Sequence, residues 1–210
     1  MQTFTIKQAE AIVGGLSETS KMPTMSISLP ATLCKTGQKL RKVEGSVCSK
    51  CYACKGAYTW KSTVNALQRR VDALGSSDWV DAMVSLMEQK KRIRESGLFR
   101  WHDSGDLQSL EHLRSIADVA RRTPQIKHWI PTKEKGILRE FLKRDKLPDN
   151  VVVRLSGAMI DGPAPNAEHT STVTSDPSKA TCRAFENDGQ CGECRKCWNK
   201  DVQNVVYLQH

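Results

Sequence analysis

The sequence predicts an α/β protein: a partial (β/α) barrel, or a small open parallel sheet of four to five strands, with a cysteine-rich, metal-bound C-terminal tail. Three observations lead to this prediction. Short apolar runs alternate with helical patterns, which is typical of parallel β/α units. The chain has 210 residues, whereas a complete eight-stranded barrel takes roughly 250. Finally, the eight cysteines fall into two separate groups.

The first predicted elements surround the N-terminal cysteine group. Residues 25–29 are predicted to form a strand that ends at this group. Apolar residues from Val64 to Leu74 then recur at near-helical spacing, which predicts a helix. A second helix should begin after Asp78, a suitable N-cap, and residues 98–101 follow as the second strand.

The alternation of strand and helix then repeats. Ser109 is predicted to cap a helix that ends before Pro124, because the residue before a proline avoids helical geometry. Residues 126–130 form the predicted third strand, and Thr132 is predicted to cap the next helix. Residues 151–155 form the fourth strand.

The remaining chain predicts less regular structure. Residues 157–179 are rich in Pro, Ser, Thr and Ala, which indicates a long loop, and residues 205–208 are the candidate fifth strand. A chain of this length can bury one sizeable core. We therefore expect a β/α domain over residues 1–160 and a loop with a metal-binding segment over residues 161–210.

Composition limits the class of protein. No apolar stretch approaches the roughly 18 residues of a membrane span, and the N-terminus lacks a secretory signal pattern. We therefore expect a cytoplasmic protein without a membrane partner, in which thiols stay reduced and bind metal rather than form disulfides. The net charge of +9 favours an anionic partner, such as nucleic acid or a nucleotide. The sequence leaves the oligomeric state open.

The two cysteine groups have short internal gaps. The first lies in the loop over residues 34–54, and the second lies near the C-terminus. The tight turn of a C-x-x-C pair brings both sulfur atoms to one side, where thiolates bind an ion or a cluster. The predicted metal ligands are Cys34, Cys48, Cys51, Cys54, Cys182, Cys191, Cys194 and Cys197.

The spacing also bears on the kind of metal. Both groups contain C-x-x-C-x-x-C, which is similar to bacterial ferredoxin ligands, whereas zinc ribbons separate two C-x-x-C pairs by a dozen or more residues. The predicted cofactor is one or two [4Fe-4S] clusters, with zinc as the alternative. Sharing of one cluster between the two groups is also open.

A polar run follows the second predicted strand. In parallel β/α folds, reactive groups gather where strands end and helices begin, because these loops share one face of the molecule. The first cysteine group should therefore face the candidate catalytic residues His102, Asp103, Ser104 and Asp106. Candidate cofactor-binding residues are Gly105, Thr132 and Ser156. The alternative is an ordinary turn whose polar side chains satisfy backbone groups.

Several segments together closely resemble the phage gene-product-88 family. They are Ser28-Leu29-Pro30-Ala31, Gly45-Ser46-Val47-Cys48, Cys51-Tyr52-Ala53, Phe99-Arg100-Trp101-His102-Asp103-Ser104-Gly105-Asp106-Leu107, His128-Trp129-Ile130-Pro131-Thr132, Val153-Arg154-Leu155-Ser156 and Cys191-Gly192-Glu193-Cys194-Arg195-Lys196-Cys197-Trp198. The resemblance implies a bacteriophage protein in the cytoplasm of the infected host. In that family the position of Cys54 is not reliably cysteine, which leaves three thiolates in the first group.

A more distant resemblance is to radical S-adenosylmethionine enzymes. There, three thiolates after the first strand hold a [4Fe-4S] cluster with one open iron, and a turn after the second strand binds the methionine part of the cofactor. Cys34, Cys48 and Cys51 match in position, and the turn corresponds to Ser104-Gly105-Asp106-Leu107. The resemblance implies S-adenosylmethionine as a cofactor, although the gap between Cys34 and Cys48 is longer than in those enzymes.

Two hypotheses from different classes result. The first is an iron–sulfur protein that acts on a small molecule or nucleotide at an open iron site in a radical-SAM-like partial barrel. Whether such a protein is an enzyme is left open. The second is a module that binds nucleic acid or a host protein, with zinc or iron–sulfur centres in purely structural roles.

Overall fold

The computed structural model describes residues 2–209 and contains one open sheet of six parallel strands. The strands follow one another across the sheet in chain order, from β1 at one edge to β6 at the other. Their bounds are Ser26–Ile27 (β1), Leu98–Trp101 (β2), Lys127–Thr132 (β3), Val151–Ile160 (β4), Thr170–Thr174 (β5) and Asn204–Leu208 (β6). All carboxyl ends therefore point the same way.

Helices cover one face of this sheet. The helices are Ile6–Val13 (α1), Lys35–Leu40 (α2), Lys61–Ala73 (α3), Trp79–Gln89 (α4), Lys91–Ser96 (α5), Leu110–Arg122 (α6) and Lys135–Leu142 (α7). Helix α6 shows why they pack: Leu113, Ile116, Ala117 and Ala120 recur at helical spacing and are all buried. Helices α1, α4, α6 and α7 pack in sequence over the main apolar core.

The C-terminal segment covers the opposite face. Because side chains alternate along a strand, Leu98, Trp129 and Val152 point away from the helices, where they pack against Met22 and Trp198. The rings of Trp129 and Trp198 meet edge to face at 5.1 Å. The second face is thus closed by the segment that carries the second cysteine group.

Of the two predicted arrangements, the open parallel sheet is confirmed and the barrel is not, and the predicted strand count is corrected. The sheet is open, with β1 and β6 at opposite edges, and it has six strands where four to five were predicted. The unpredicted strand is β5, whose sequence Thr-Ser-Thr-Val-Thr lies in the predicted loop over residues 157–179. Its polar composition hid it, although β-branched residues favour strands. Residues 161–210 therefore contribute two strands to the same sheet as residues 1–160.

Helix boundaries confirm some predicted caps and correct others. The Ser109 side chain accepts a hydrogen bond from the His112 N–H, as a helix N-cap does. Asp78 precedes α4 without a capping side-chain bond. Thr132 ends β3, and α7 begins after Glu134, whose N–H donates to the Thr132 hydroxyl at 3.0 Å.

Over residues 2–209, none of the helices has both the length and the apolar character that crossing a bilayer requires.

Candidate thiol site at the carboxyl end of the sheet

The first cysteine group lies in a loop that spans the carboxyl ends of the strands. The loop leaves β1, forms the short helix α2 directly after Cys34, and then crosses to β4. There the Val47 N–H donates to the Ala158 carbonyl at 2.9 Å, and the Ile160 N–H donates to the Gly45 carbonyl at 3.0 Å. The loop is therefore held at both ends by the sheet.

Glu134 fixes the start of α2. Its carboxylate is buried and accepts two bonds from Thr36, one from the N–H at 2.7 Å and one from the hydroxyl at 2.9 Å. A carboxylate at a helix N-terminus satisfies a free N–H and interacts favourably with the helix dipole. Since Cys34 immediately precedes this turn, Glu134 also fixes the position of the Cys34 thiol.

Two thiols of the first group, those of Cys34 and Cys48, lie beside Gly37. A Cβ atom at Gly37 would lie 2.8 Å from the Cys34 Cβ, 3.8 Å from the Cys34 Sγ and 3.7 Å from the Cys48 Sγ. The Cys34 thiol also interacts electrostatically with Cys48 and Cys51. Burial, followed by the surrounding negative groups, raises the pKa of Cys34 far above its usual range. The Cys34 thiol therefore stays neutral unless a cation joins it.

Lys133 is the positive charge beside these thiols. Its side chain is largely buried, and its ammonium donates to the Gly157 carbonyl at 2.6 Å. Burial lowers the pKa of Lys133, while Cys48, Asp106, Cys34 and Cys51 oppose that shift. Conversely, burial raises the pKa of Cys48, and Lys133 opposes it. The lysine thus provides a fixed charge that would offset negative thiolates.

Asp106 joins the end of β2 to the end of β3. One carboxylate oxygen accepts the Thr132 hydroxyl at 2.5 Å and the Leu107 N–H at 2.7 Å, and the other accepts the Lys133 N–H at 2.8 Å. Burial raises the pKa of Asp106 to about 6, even though these three bonds favour the charged form. The structure therefore brings together Asp106, Thr132 and the first cysteine group.

Whether these residues fit a metal depends on the kind of centre. Within residues 2–209, no three His, Cys, Asp or Glu side chains are arranged to hold a metal ion. Ligands of a single ion must meet at one point, whereas the thiolates of a cubane cluster bind different iron atoms and lie further apart. Cys34 and Cys48 lie beside Gly37, and Cys51 interacts electrostatically with both. Metal binding by either cysteine group stays a prediction.

Asp103 is held by hydroxyl groups on the other side of β2. Its carboxylate accepts bonds from Ser26 at 2.5 Å, Ser28 at 2.6 Å and Tyr58 at 3.2 Å. Its backbone carbonyl accepts a short bond from the Tyr52 hydroxyl. Because Tyr52 directly follows Cys51, Asp103 is linked to the cysteine loop through this tyrosine.

The His102 ring is buried beside His112. The residue adopts a left-handed backbone conformation (φ 68°), and the His112 ring is 5.2 Å away. Neither ring nitrogen has a hydrogen-bond partner within residues 2–209. Burial lowers the pKa of His102 well below its usual value, so the ring is neutral. The described contacts of His102 are with the His112 ring and, through its backbone N–H, with the Ile27 carbonyl.

Ser104 and Gly105 pack on the segment that follows β1. The Ser104 hydroxyl donates to the Leu29 carbonyl at 2.9 Å, and the Leu29 N–H donates to the Ser104 carbonyl at 2.8 Å. Gly105 has φ 81°, and a Cβ there would lie 2.5 Å from the Leu29 Cβ. Close packing against Leu29 is by itself a sufficient reason for glycine at this position.

The remaining predicted residues of this end are Cys54 and Ser156. The Cys54 thiol interacts with Cys51 through a side-chain hydrogen bond, and burial raises its pKa. Ser156 lies in β4 and pairs with β5, where its hydroxyl meets that of Ser171 at 3.1 Å. Cys54 is therefore beside the other thiols of its group, and Ser156 belongs to the β4–β5 pairing.

The second cysteine group is organised by Arg154. This arginine is fully buried in β4 and donates to the carbonyls of six residues at 2.8 to 3.4 Å, without a carboxylate partner in the described chain. The six residues are Thr170, Lys196, Cys197, Asn199, Val202 and Gln203. One guanidinium thus fixes the backbone around Cys197.

The thiols of this group also interact with one another. Cys191 interacts electrostatically with Cys182 and Cys194, and Cys197 interacts with Cys182 and Cys191. Burial raises the pKa of Cys197 to about 11, although a hydrogen bond with Tyr207 lowers it. The Cys197 sulfur lies 3.1 Å from the Tyr207 hydroxyl. The group is therefore a second, separate set of interacting thiols.

Arg100 lies between the two groups. Its guanidinium carbon is 4.5 Å from the centre of the Trp129 ring, and it interacts electrostatically with Tyr52 and Asp103 on one side and with Tyr207 and Cys197 on the other. Its Nε is buried without a partner in the described chain. Arg100 therefore places one positive charge among residues of both cysteine-bearing parts of the chain.

The sequence interpretation gathered Lys133 with Thr132 at the end of the third strand without naming it as a site residue, and it missed Glu134, Arg100 and Arg154. Signals existed for Arg154 and Lys133. Arg154 interrupts an apolar strand, and a charge there has to be neutralised or hydrogen-bonded. Lys133 directly follows Thr132 at a strand end, the position where ligands bind in parallel folds.

Comparison with known proteins identifies one relationship. A family model described as Gene product 88 matches residues 3–200. Searches of curated proteins and of solved structures find no match.

Proposed function

This chain belongs to the gene product 88 family, and we propose that it is an iron–sulfur protein whose first cysteine group holds a [4Fe-4S] cluster with one open iron site. The expected ligands are Cys34, Cys48 and Cys51. The observation that carries the proposal is their convergence beside Lys133, at the carboxyl ends of the parallel strands. The expected substrate is a small molecule or a nucleotide.

Burial raises the pKa of Cys34 and of Cys48, and such thiols favour a bound metal because a metal replaces their protons. When bound, a cluster on three thiolates supplies an iron atom that can polarise a ligand or exchange an electron with it. The ammonium of Lys133 offsets the negative charge of the thiolates. Glu134 keeps Cys34 in place by holding Thr36 at the start of α2.

The polar groups around the thiols have defined tasks. Asp106 holds the backbone of Lys133, and so fixes the direction from which the ammonium approaches the thiols. Asp103 is oriented by three hydroxyl groups and remains within reach of the loop through Tyr52 and Tyr58. Of the predicted catalytic residues, these two carboxylates are best placed to bind or transfer a proton.

Anaerobic purification followed by iron, sulfide and zinc analysis tests the proposal. We expect a brown protein that contains iron and acid-labile sulfide. Cys34→Ala, Cys48→Ala and Cys51→Ala should each remove the iron of the first group, whereas Cys54→Ala should retain it. Circular dichroism of each variant separates loss of iron from loss of fold. A colourless protein containing zinc alone would contradict the proposal.

The finer proposal is a reaction of the radical S-adenosylmethionine type. An open iron would bind the added cofactor, so the electron paramagnetic resonance spectrum of the reduced protein should change on addition of S-adenosylmethionine. The same titration with Cys194→Ala serves as the control, since that change touches only the second group. An iron-loaded protein whose spectrum does not respond would contradict this finer proposal alone.

A further inference from the structure

The segment around the first cysteine group forms what we name the basic loop surface, defined as the exposed side chains of residues 33–64. It contains seven basic residues against one acidic residue, Glu44, and so carries six of the nine net positive charges of the chain. All seven are exposed. They are Lys35, Lys39, Arg41, Lys42, Lys50, Lys55 and Lys61.

These charges are available to a partner. Among residues 2–209, none of the seven takes part in a salt bridge, although ten such bridges form elsewhere. Positive charge at this density without internal partners repels itself, and an anionic ligand relieves that repulsion. The surface is therefore complementary to a polyanion.

The same surface exposes aromatic and aliphatic side chains. Of the eight large apolar residues exposed in the described chain, five lie in residues 33–64. Trp60 is the most exposed of them at 65 %, and Tyr52 is 43 % exposed. Both lie in the short turns between lysines, and the Tyr52 ring contacts the Tyr58 ring edge to face. Exposed rings between basic residues are what unpaired bases stack on.

We propose that the basic loop surface binds single-stranded nucleic acid, with the basic side chains on the phosphates and Trp60 and Tyr52 stacked on bases. In double-stranded nucleic acid the bases are stacked on one another, so their faces cannot stack on Trp60 and Tyr52. A membrane would require an amphipathic helix lying in its plane, whereas α2 has only six residues and carries lysines. An acidic protein would leave the exposed rings without a role.

The geometry also connects this surface with the candidate site. The Tyr52 hydroxyl donates to the Asp103 carbonyl, and the Tyr58 hydroxyl donates to the Asp103 carboxylate. A strand bound across the rings would therefore lie beside Asp103 and the first thiols. The surface does not depend on the cluster assignment, because binding and iron content are measured separately.

Fluorescence anisotropy with labelled single strands of about 15 nucleotides, as DNA and as RNA, tests the proposal on the full chain. Binding should weaken as salt increases. Neutralising Lys39, Arg41 and Lys42 together to Gln should weaken binding at least about tenfold and reduce the salt slope by about two. Trp60→Ala should weaken binding about tenfold with an unchanged slope, because the ring carries no charge.

A matched control removes the same charge elsewhere. The control variant changes Arg139, Lys143 and Arg144, which lie on and beside α7, to Gln. It should bind nucleic acid as tightly as the unchanged protein. Four results would overturn the proposal: equal loss with this control, equal binding of a duplex, no effect of Trp60→Ala, or binding to phosphatidylserine vesicles with none to oligonucleotides. Tighter binding of RNA or of DNA would support it and identify the natural strand.

Discussion

At the scale of single residues, the backbone turn at Gly105 determines which strands Asp103 and Asp106 bond to. Gly105 has a positive φ and lies against Leu29, so the turn after β2 is folded tightly onto the segment after β1. Asp106 then reaches β3, and Asp103 reaches the serines of the first strand. The two carboxylates of residues 102–106 therefore bond to different strands, Asp106 to β3 and Asp103 to β1. The sequence alone does not reveal this difference.

Gly105→Ala tests this packing. A methyl group would lie 2.5 Å from the Leu29 Cβ and 2.7 Å from its carbonyl oxygen, in a left-handed conformation. We expect the free energy of unfolding to fall by about 2 kcal/mol or more, measured by urea denaturation. Gly136→Ala is the control: a Cβ there meets nothing within 4 Å, and alanine favours its helix by about 1 kcal/mol.

His128 predicts a specific dependence of stability on pH. Its Nδ1 accepts the Trp101 indole N–H at 3.0 Å, and its Nε2 lies 3.0 Å from the Thr123 hydroxyl. That hydroxyl donates to the Val119 carbonyl, so the neutral ring donates to it from Nε2. Burial lowers the pKa of His128 to about 3 from the ordinary 6.5.

The unfolded chain therefore takes up this proton first as the pH falls. The stability that the neutral ring contributes is present above pH 6.5 and is lost toward pH 3, at about 1.4 kcal/mol per pH unit. In His128→Gln, unfolding should take up one proton fewer across this pH range. The slope of the unfolding free energy against pH should therefore be smaller by about 1.4 kcal/mol per pH unit. Identical slopes for the two proteins would show that His128 does not titrate in this way.

At the scale of elements, the strands were easier to predict than the segments that cover them. Four strands with apolar sequences were recognised, and β2 was predicted with its observed bounds. Strand β5 was missed because Thr170, Thr172 and Thr174 find hydrogen bonds that only the folded sheet provides. The cysteine groups were recognised from spacing, but their neighbours Lys133 and Arg154 came from other elements.

Arg154→Met should release the C-terminal segment from the sheet. The change removes the donors for six carbonyls, one in a buried bond and five in part-buried bonds, which we expect to cost about 3 kcal/mol or more in total. Hydrogen exchange should accelerate at the amides of residues 196–203 more than in α6. Arg154→Lys keeps the charge but offers three donors, so intermediate protection is expected. Unchanged exchange in Arg154→Met would refute this role.

At the scale of the whole molecule, the two sheet faces are covered differently. Helices cover one face and form the main core, while the C-terminal segment covers the other with Trp198 and Met22. The Trp198 indole donates to the Phe99 carbonyl at 2.8 Å. Segments from both ends of the chain therefore contribute to one packed structure, with the cysteine groups attached to the same sheet.

Trp198→Ala tests whether this structure unfolds as one unit. We expect a loss of about 3–5 kcal/mol in unfolding free energy, with a single transition seen by both circular dichroism and fluorescence. Trp60→Ala is the matched control, because that ring is 65 % exposed and its removal should change stability by less than about 0.5 kcal/mol. Two separated transitions in the unchanged protein would show that the segment folds independently.

The sequence by itself determined the class of fold, the parallel arrangement of its main strands, the two cysteine groups and the family. These depend on local patterns of apolar residues, turns and spacing, which are readable along the chain. Only the tertiary structure decided that the sheet is open, that Asp106 accepts hydrogen bonds from Thr132 and Lys133, and that the His102 ring packs against His112. The physical reason is that these contacts join residues far apart in sequence, and burial and backbone conformation select among them.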